Sequence, residues 1–64
     1  MSPYIVSFVR ADNKPNEEYY YHTLEEAREH FSLFLDDSSG LYRQIQIENY
    51  AGELIAINCF PSND

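Results

Sequence analysis

A chain of 64 residues with a single cysteine, Cys59, has to fold around one small core without a covalent staple. That length holds one domain, residues 1–64, with an ordered core expected over about residues 3–60 and a frayed tail over 61–64. A core of this size supplies only about 3–5 kcal/mol of net stability. Small domains without disulfide or metal commonly gain the rest from a second chain, so self-association is the cheapest way to enlarge this core. The lone thiol fits a reducing compartment. The opening residues Met1-Ser2-Pro3-Tyr4 run into a strand pattern rather than a signal peptide, and no apolar run reaches the roughly 18 residues that span a bilayer. The expectation is a cytoplasmic protein that does not engage membrane.

Two strand patterns precede the one helical pattern, and two follow it. Tyr4–Arg10 is rich in β-branched and aromatic residues. Asp12-Asn13-Lys14-Pro15-Asn16 is a turn cluster, after which Glu17–His22 returns as a second strand around Tyr19-Tyr20-Tyr21. Pairing Arg10 with Glu17 sets Phe8 opposite Tyr19 and Val6 opposite Tyr21. Thr23-Leu24-Glu25-Glu26 is a capping box, in which the Thr23 hydroxyl accepts from the Glu26 N–H and the Glu26 carboxylate reaches back to Thr23. Leu24, Ala27, Phe31, Phe34 and Leu35 then fall within about a 100° arc, which predicts an amphipathic helix from Leu24 to Asp36 or Asp37. Ser38-Ser39-Gly40 ends it.

Tyr42–Asn49 and Glu53–Phe60 form a hairpin through a three-residue loop, Tyr50-Ala51-Gly52, with Gly52 in the left-handed region. An unbroken register sets Ile47 opposite Ile55, Ile45 opposite Ile57 and Arg43 opposite Cys59, so that four isoleucines meet beneath the helix. The core is then Phe31, Phe34, Leu35, Ile45, Ile47, Ile55 and Ile57. The order β-β-α-β-β predicts an α+β domain, an antiparallel-rich four-stranded sheet with one helix packed on one face.

Eleven carboxylates against four basic side chains give a formal net charge of -7. Such a surface repels phosphate, so direct nucleic-acid or membrane binding is disfavoured and a basic protein partner is favoured. Glu25, Glu29 and Asp36 lie within about 40° of one another on the predicted helix, flanked by Glu26 and Asp37. This is either an ordinary solvated face or a line of carboxylates that meets lysines and arginines, standing in for backbone phosphates. Leu33, opposite the core stripe, is either a tolerated exposed leucine or the apolar anchor of that contact. The uncovered sheet face is expected to carry Ile5, Val9, Tyr20, Tyr42, Leu54 and Phe60, which is either a tolerated half-apolar sheet or the site of a sheet-to-sheet contact or a protein partner, and a homodimer is expected through this face or a sheet edge.

Other features carry less. Tyr19-Tyr20-Tyr21 has the aromatic content of a base-stacking sheet, yet Glu17 and Glu18 stand where such sheets carry Lys and Arg. His22, His30 and Cys59 lack zinc-ligand spacing, and no histidine pairs with a nucleophile. Cys59 is expected near the core. Asp36-Asp37-Ser38-Ser39-Gly40 begins like a calcium loop, but the twelfth position is Ile47 where a bidentate glutamate is needed. No cofactor, metal or catalytic residue is expected, and a core of this size rarely encloses a pocket. The reading is a non-enzymatic interaction module. Its most concrete form is an inhibitor of mobile-element or phage type that blocks the basic groove of a nucleic-acid-binding protein. The alternative is a structural or regulatory homodimer whose acidity serves solubility.

The segment Tyr-Tyr-His-Thr-Leu-Glu-Glu-Ala-Arg-Glu-His-Phe-Ser-Leu-Phe, Tyr20 to Phe34, resembles a pattern in small proteins of Firmicutes and their phages. It also resembles the strand-into-helix junction of the small sheet-plus-helix arm domains of phage integrases. The resemblance covers under a quarter of the chain and implies a strand leading into a capped helix. Integrase arm domains bind DNA with basic strands, and this chain departs from them in charge throughout, so no functional residue carries over.

Overall fold

The structure, a computed structural model, describes residues 3–61. The expected fraying at the C-terminus falls, beyond Pro61, outside the described residues. The apolar positions of the first strand draw it into the middle of the sheet. β1 (Tyr4–Arg10) pairs antiparallel with β2 (Glu17–Tyr21) on one side and β3 (Tyr42–Asn49) on the other, and β4 (Leu54–Cys59) pairs with β3 at the far edge. The strand order is β2-β1-β3-β4. α1 (Leu24–Leu33) lies over β2, β1 and β3 and does not reach β4. This is the α+β arrangement that the β-β-α-β-β pattern predicts.

Among the described residues five hydrophobic side chains are fully buried: Val6 and Phe8 on β1, Ile45 and Ile47 on β3, and Ala27 on the helix. Val6 is opposite Ile47 and Phe8 opposite Ile45, so the two central strands supply a square of four large side chains. The small Ala27 lets the helix sit close above them. Leu24, Phe31 and Phe34 from the helix side and Tyr4, Tyr21, Tyr42, Ile55, Ala56 and Phe60 from the sheet pack around this centre.

The helix starts as its cap dictates. Thr23 is extended (φ -124°, ψ 151°) and its hydroxyl accepts from the Glu26 N–H at 3.2 Å. The same hydroxyl donates to the Glu26 carboxylate at 3.0 Å, so the carboxylate meets the hydroxyl where the expected capping box has the Thr23 backbone N–H. The helix ends at Leu33, short of Asp36 or Asp37. The Ser32 hydroxyl donates back to the Arg28 carbonyl at 2.7 Å, a local competitor of helical continuation. The last N–H groups shift to three-residue bonds, Phe34 to Phe31 at 3.2 Å and Leu35 to Ser32 at 3.3 Å. Early termination keeps Asp36 and Asp37 out of a helix whose negative end disfavours them. The buried stripe is therefore Leu24, Ala27, His30, Phe31 and Phe34, and Leu35, expected in the core, is 42% exposed.

The first hairpin is shifted by two residues from the expected register. Tyr19 is opposite Val6 and Tyr21 opposite Tyr4, while Phe8 faces Glu17. A two-residue shift preserves faces, so Val6, Phe8, Tyr19 and Tyr21 remain on the helix side. β1 outruns β2: Val9 and Arg10 pair only with β3, and the Ala11 N–H continues to the Leu41 carbonyl at 2.8 Å.

Two bulges rearrange the other pairings. The second hairpin turn forms as expected: Gly52 has φ +84°, its N–H donates to Asn49 at 3.0 Å, and Asn49 pairs with Glu53. The Asn49 side chain accepts from the Ala51 and Glu53 N–H groups at 3.0 and 2.9 Å, locking the loop. Beyond Leu54, however, the register steps so that Ile47 faces Ala56, Ile45 faces Asn58 and Gln46 faces Ile57. Ile55 is left without a partner, and each later residue of β4 changes face. Ile57 is turned outward, 48% exposed, and the expected cluster of four isoleucines reduces to Ile45 and Ile47 with Ile55 beside them. A second bulge leaves Arg43 unpaired between Val9–Gln44 and Arg10–Tyr42, turning Tyr42 inward. Tyr42 and Phe60, expected on the open face, consequently pack against the core under the helix side.

Phe8→Ala removes the largest fully buried side chain. It is expected to cost about 3–5 kcal/mol and to abolish the cooperative thermal transition followed by circular dichroism. Leu35→Ala and Ile57→Ala are expected to keep that transition, losing under about 1 kcal/mol each, because both side chains remain substantially in water.

Candidate functional site

The outer surface of α1 brings together part of the predicted partner-binding set. Glu25, Glu26 and Glu29 are all exposed, and Leu33 is 76% exposed. Glu26, Glu29 and Leu33, spaced three, then four residues apart, rim a shallow hollow of about 310 Å³ together with Tyr21 and His30. Glu25 stands one position outside it on the first turn. Asp36 and Asp37 do not extend the line, because the helix has ended. Asp36 is exposed in the following turn, and the half-buried Asp37 accepts from the Ser39 hydroxyl at 2.7 Å. Two carboxylates beside an exposed leucine suit a lysine or arginine, whose methylene stem lies on the leucine while its head meets the carboxylates.

Behind this rim lies a feature the sequence reading passed over. The His30 ring stands among Phe8, Tyr19, Tyr21 and Phe34, with centroids 5.1, 4.8, 5.7 and 5.6 Å away. The Tyr21 hydroxyl is 2.6 Å from His30 Nδ1. Burial pushes the His30 pKa below its ordinary value, so the ring is neutral at pH 7. Tyr21 and Nδ1 then share one hydrogen bond, whose donor is set by the tautomer of the neutral ring. The available signal was positional: His30 is three residues after Ala27 and four before Phe34, within the buried arc once Leu35 leaves it.

The acidity is also unevenly neutralised. Arg10 grips Asp12 with both carboxylate oxygens, at 3.1 and 2.6 Å, and Glu17 at 2.8 Å, so the expected Arg10–Glu17 charge pair forms although the two residues are not in register. Tyr19 and Tyr42 donate to the other Glu17 oxygen at 2.9 and 3.3 Å, and the guanidinium lies 5.6 Å from the Tyr42 ring centre. Hydrogen bonding from Arg10 pulls Asp12 down to about 2 and holds Glu17 below the usual carboxylate range. The helix acids have no such partner among the described ion pairs.

The open sheet face carries Ile5, Val9, Tyr20 and Leu54 of the predicted oligomer set, without Tyr42 and Phe60. Ile57 and Cys59 take their place beside Leu54. A polar ladder runs down β3 through this face: Gln44 donates to Gln46 at 2.9 Å, and Gln46 donates to Glu48. It separates Ile5, Val9 and Tyr20 on one side from Leu54, Ile57 and Cys59 on the other. Cys59, expected near the core, is a free, exposed thiol, because the bulge at Ile55 turns it outward. It borders a cleft of about 720 Å³ with Tyr42, Arg43, Gln44 and Phe60. His22 is exposed. Among the described residues no group of three His, Cys, Asp or Glu side chains converges on a metal-sized site, and no helix is long and apolar enough to cross a membrane.

The His30 environment has a measurable consequence. Its folded pKa is depressed, so the unfolded chain binds the proton more readily and stability falls as pH drops from about 6.5 through the folded value. Urea midpoints measured between pH 8 and 5 are expected to decline for the wild type and to decline less for His30→Phe. The Arg10 carboxylates act lower: with Asp12 and Glu17 depressed, their contribution is present above about pH 4 and is lost toward pH 2.

Comparison with protein-family models, curated proteins and solved structures found no match.

Proposed function

We propose that this chain is a small acidic protein-interaction module without catalytic activity, which binds a basic protein surface through the outer face of α1. The observation that carries this reading is the joint placement of Glu26, Glu29 and the 76%-exposed Leu33 around one hollow, on a capped helix of a chain with net charge -7. The acids attract and orient a cationic partner, and Leu33 supplies the apolar contact that slows its departure. Arg28, on the same helix, is a single opposing charge.

The most concrete version is an inhibitor, of the kind mobile elements carry, that occupies the groove where a nucleic-acid-binding protein holds phosphates. Glu25, Glu26 and Glu29 span the first two turns of α1 and present the carboxylates that replace phosphate oxygens. With Asp36 and Asp37 outside the helix, the mimicry is confined to this N-terminal half.

The test is capture from the heparin-retained fraction of the source cell's lysate on the immobilised chain. The captured protein is expected to be released by duplex DNA and by raised salt. Glu25→Lys/Glu29→Lys is expected to abolish capture while leaving the fold intact, and Leu33→Ala to speed dissociation several-fold. Capture that survives the double reversal and resists DNA would place the interface elsewhere.

A further inference from the structure

The hollow on α1 has a titratable inner wall. Its rim is Glu26, Glu29 and Leu33, and its wall is Tyr21 and His30. His30 is half-buried: Phe8, Tyr19, Tyr21 and Phe34 stand around its ring, and the residue also lines the hollow. On the helix it follows Glu26 by four residues and Glu29 by one, so the ring and the rim carboxylates share one volume of about 310 Å³. The strands packed against the helix bring no competing charge. β1 presents Phe8. β2 presents Tyr19 and Tyr21, and the Tyr19 hydroxyl donates to Glu17, whose charge Arg10 meets. β3 presents Tyr42, Ile45 and Ile47. Tyr19 and Tyr42 are held above the ordinary phenol value, Tyr19 by its bond to Glu17 and Tyr42 by burial, so both rings stay uncharged through neutral pH. His30 is therefore the residue of this wall whose charge changes in the mildly acidic range.

We infer that His30 gates this hollow: with a neutral ring the hollow accepts a lysine or arginine side chain of a partner, and with an imidazolium it rejects one. The inference rests on the helix-face reading above and adds its regulation. Protonation acts twice in the same direction. An imidazolium inside so small a volume repels the incoming cationic head. It also gives the rim a cation of the chain's own, because a glutamate four residues before a cation is the favourable helical pairing, and Glu26 then turns from the partner to His30. The aromatic surroundings set the resting state. Burial holds His30 below its ordinary value, so the hollow is open at pH 7 and closes as pH falls from about 6.5 through the folded pKa. Linkage makes the coupling reciprocal: a bound cation lowers the His30 pKa by the logarithm of the factor by which protonation weakens binding.

The probe is a hexa-arginine peptide with blocked ends, titrated into the isotope-labelled wild-type chain at fixed ionic strength between pH 8 and 5, with circular dichroism confirming the fold at each pH. At pH 8 the peptide is expected to shift the Glu29 amide and the Leu33 methyl signals, and its affinity to fall several-fold by pH 5. The His30 pKa, followed through the imidazole signals, is expected to drop when the peptide is bound, and to drop further than that of the exposed His22, which reports the general field of the peptide. This readout needs no variant. His30→Phe keeps a ring and cannot titrate; it is expected to bind at pH 8 as the wild type does and to lose less affinity by pH 5, the remaining loss belonging to the carboxylates. A wild type that binds at the hollow and loses no more affinity than His30→Phe would overturn the gate and leave the helix-face reading standing. So would a His30 pKa that the peptide lowers no more than that of His22. Absence of any shift at Glu29 and Leu33 at pH 8 would overturn both.

Discussion

The antiparallel pairing of β1 with β3 is the constraint from which the rest of this structure follows. It sets Val6 against Ile47 and Phe8 against Ile45, and these four side chains are almost wholly removed from water. Among the described residues no other cluster is comparably buried, so the helix must cover this square. Ala27 gives it the close approach to do so, and the capping box at Thr23 fixes where the helix begins. Once α1 is centred on β1 and β3, β2 is tucked under its side and β4 is left beyond its reach. The exposed helix face and the bare β4 edge are both products of that centring.

What could be read in the residues beforehand was whatever rests on local chemistry. The four strands, the capped helix, the Gly52 turn and the acidic helix surface all follow from turn residues, periodicity and capping. Register did not, because the long loop after β1 lets the first hairpin pair two residues away from the Arg10–Glu17 alignment, and a bulge leaves no local mark. Ile55 looks like any other β-branched strand residue, yet stepping over it turns Ile57 and Cys59 out and Phe60 in. Arg43 does the same for Tyr42. The helix end was obscured because Phe34 and Leu35 continue the apolar period, while the Ser32 hydroxyl and the cost of two aspartates at the negative terminus end it sooner. That shortening separated Asp36 and Asp37 from Glu25, Glu26 and Glu29, and it admitted His30 to the buried face.

The distribution of charge then acquires a structural logic. Arg10 is committed to Asp12 and Glu17 at the end of the first hairpin, where it braces the loop against Tyr42. The glutamates of α1 are left to face solvent beside Leu33. The polar ladder of β3 divides the open sheet face, which weakens that face as a single apolar patch.

The step in register at Ile55 decides which side chains reach each surface, and proton–proton contacts across β3 and β4 measure it directly. In the structure Gln46 faces Ile57 and Gln44 faces Cys59 as pairs whose backbone groups point away from each other, which brings their α-protons close. Strong Hα–Hα cross-peaks for Gln46–Ile57 and Gln44–Cys59 are the predicted result. An Hα–Hα cross-peak between Gln46 and Ala56, with Ile57 methyl contacts to Phe31, would contradict the account, because it would return Ile57 to the core.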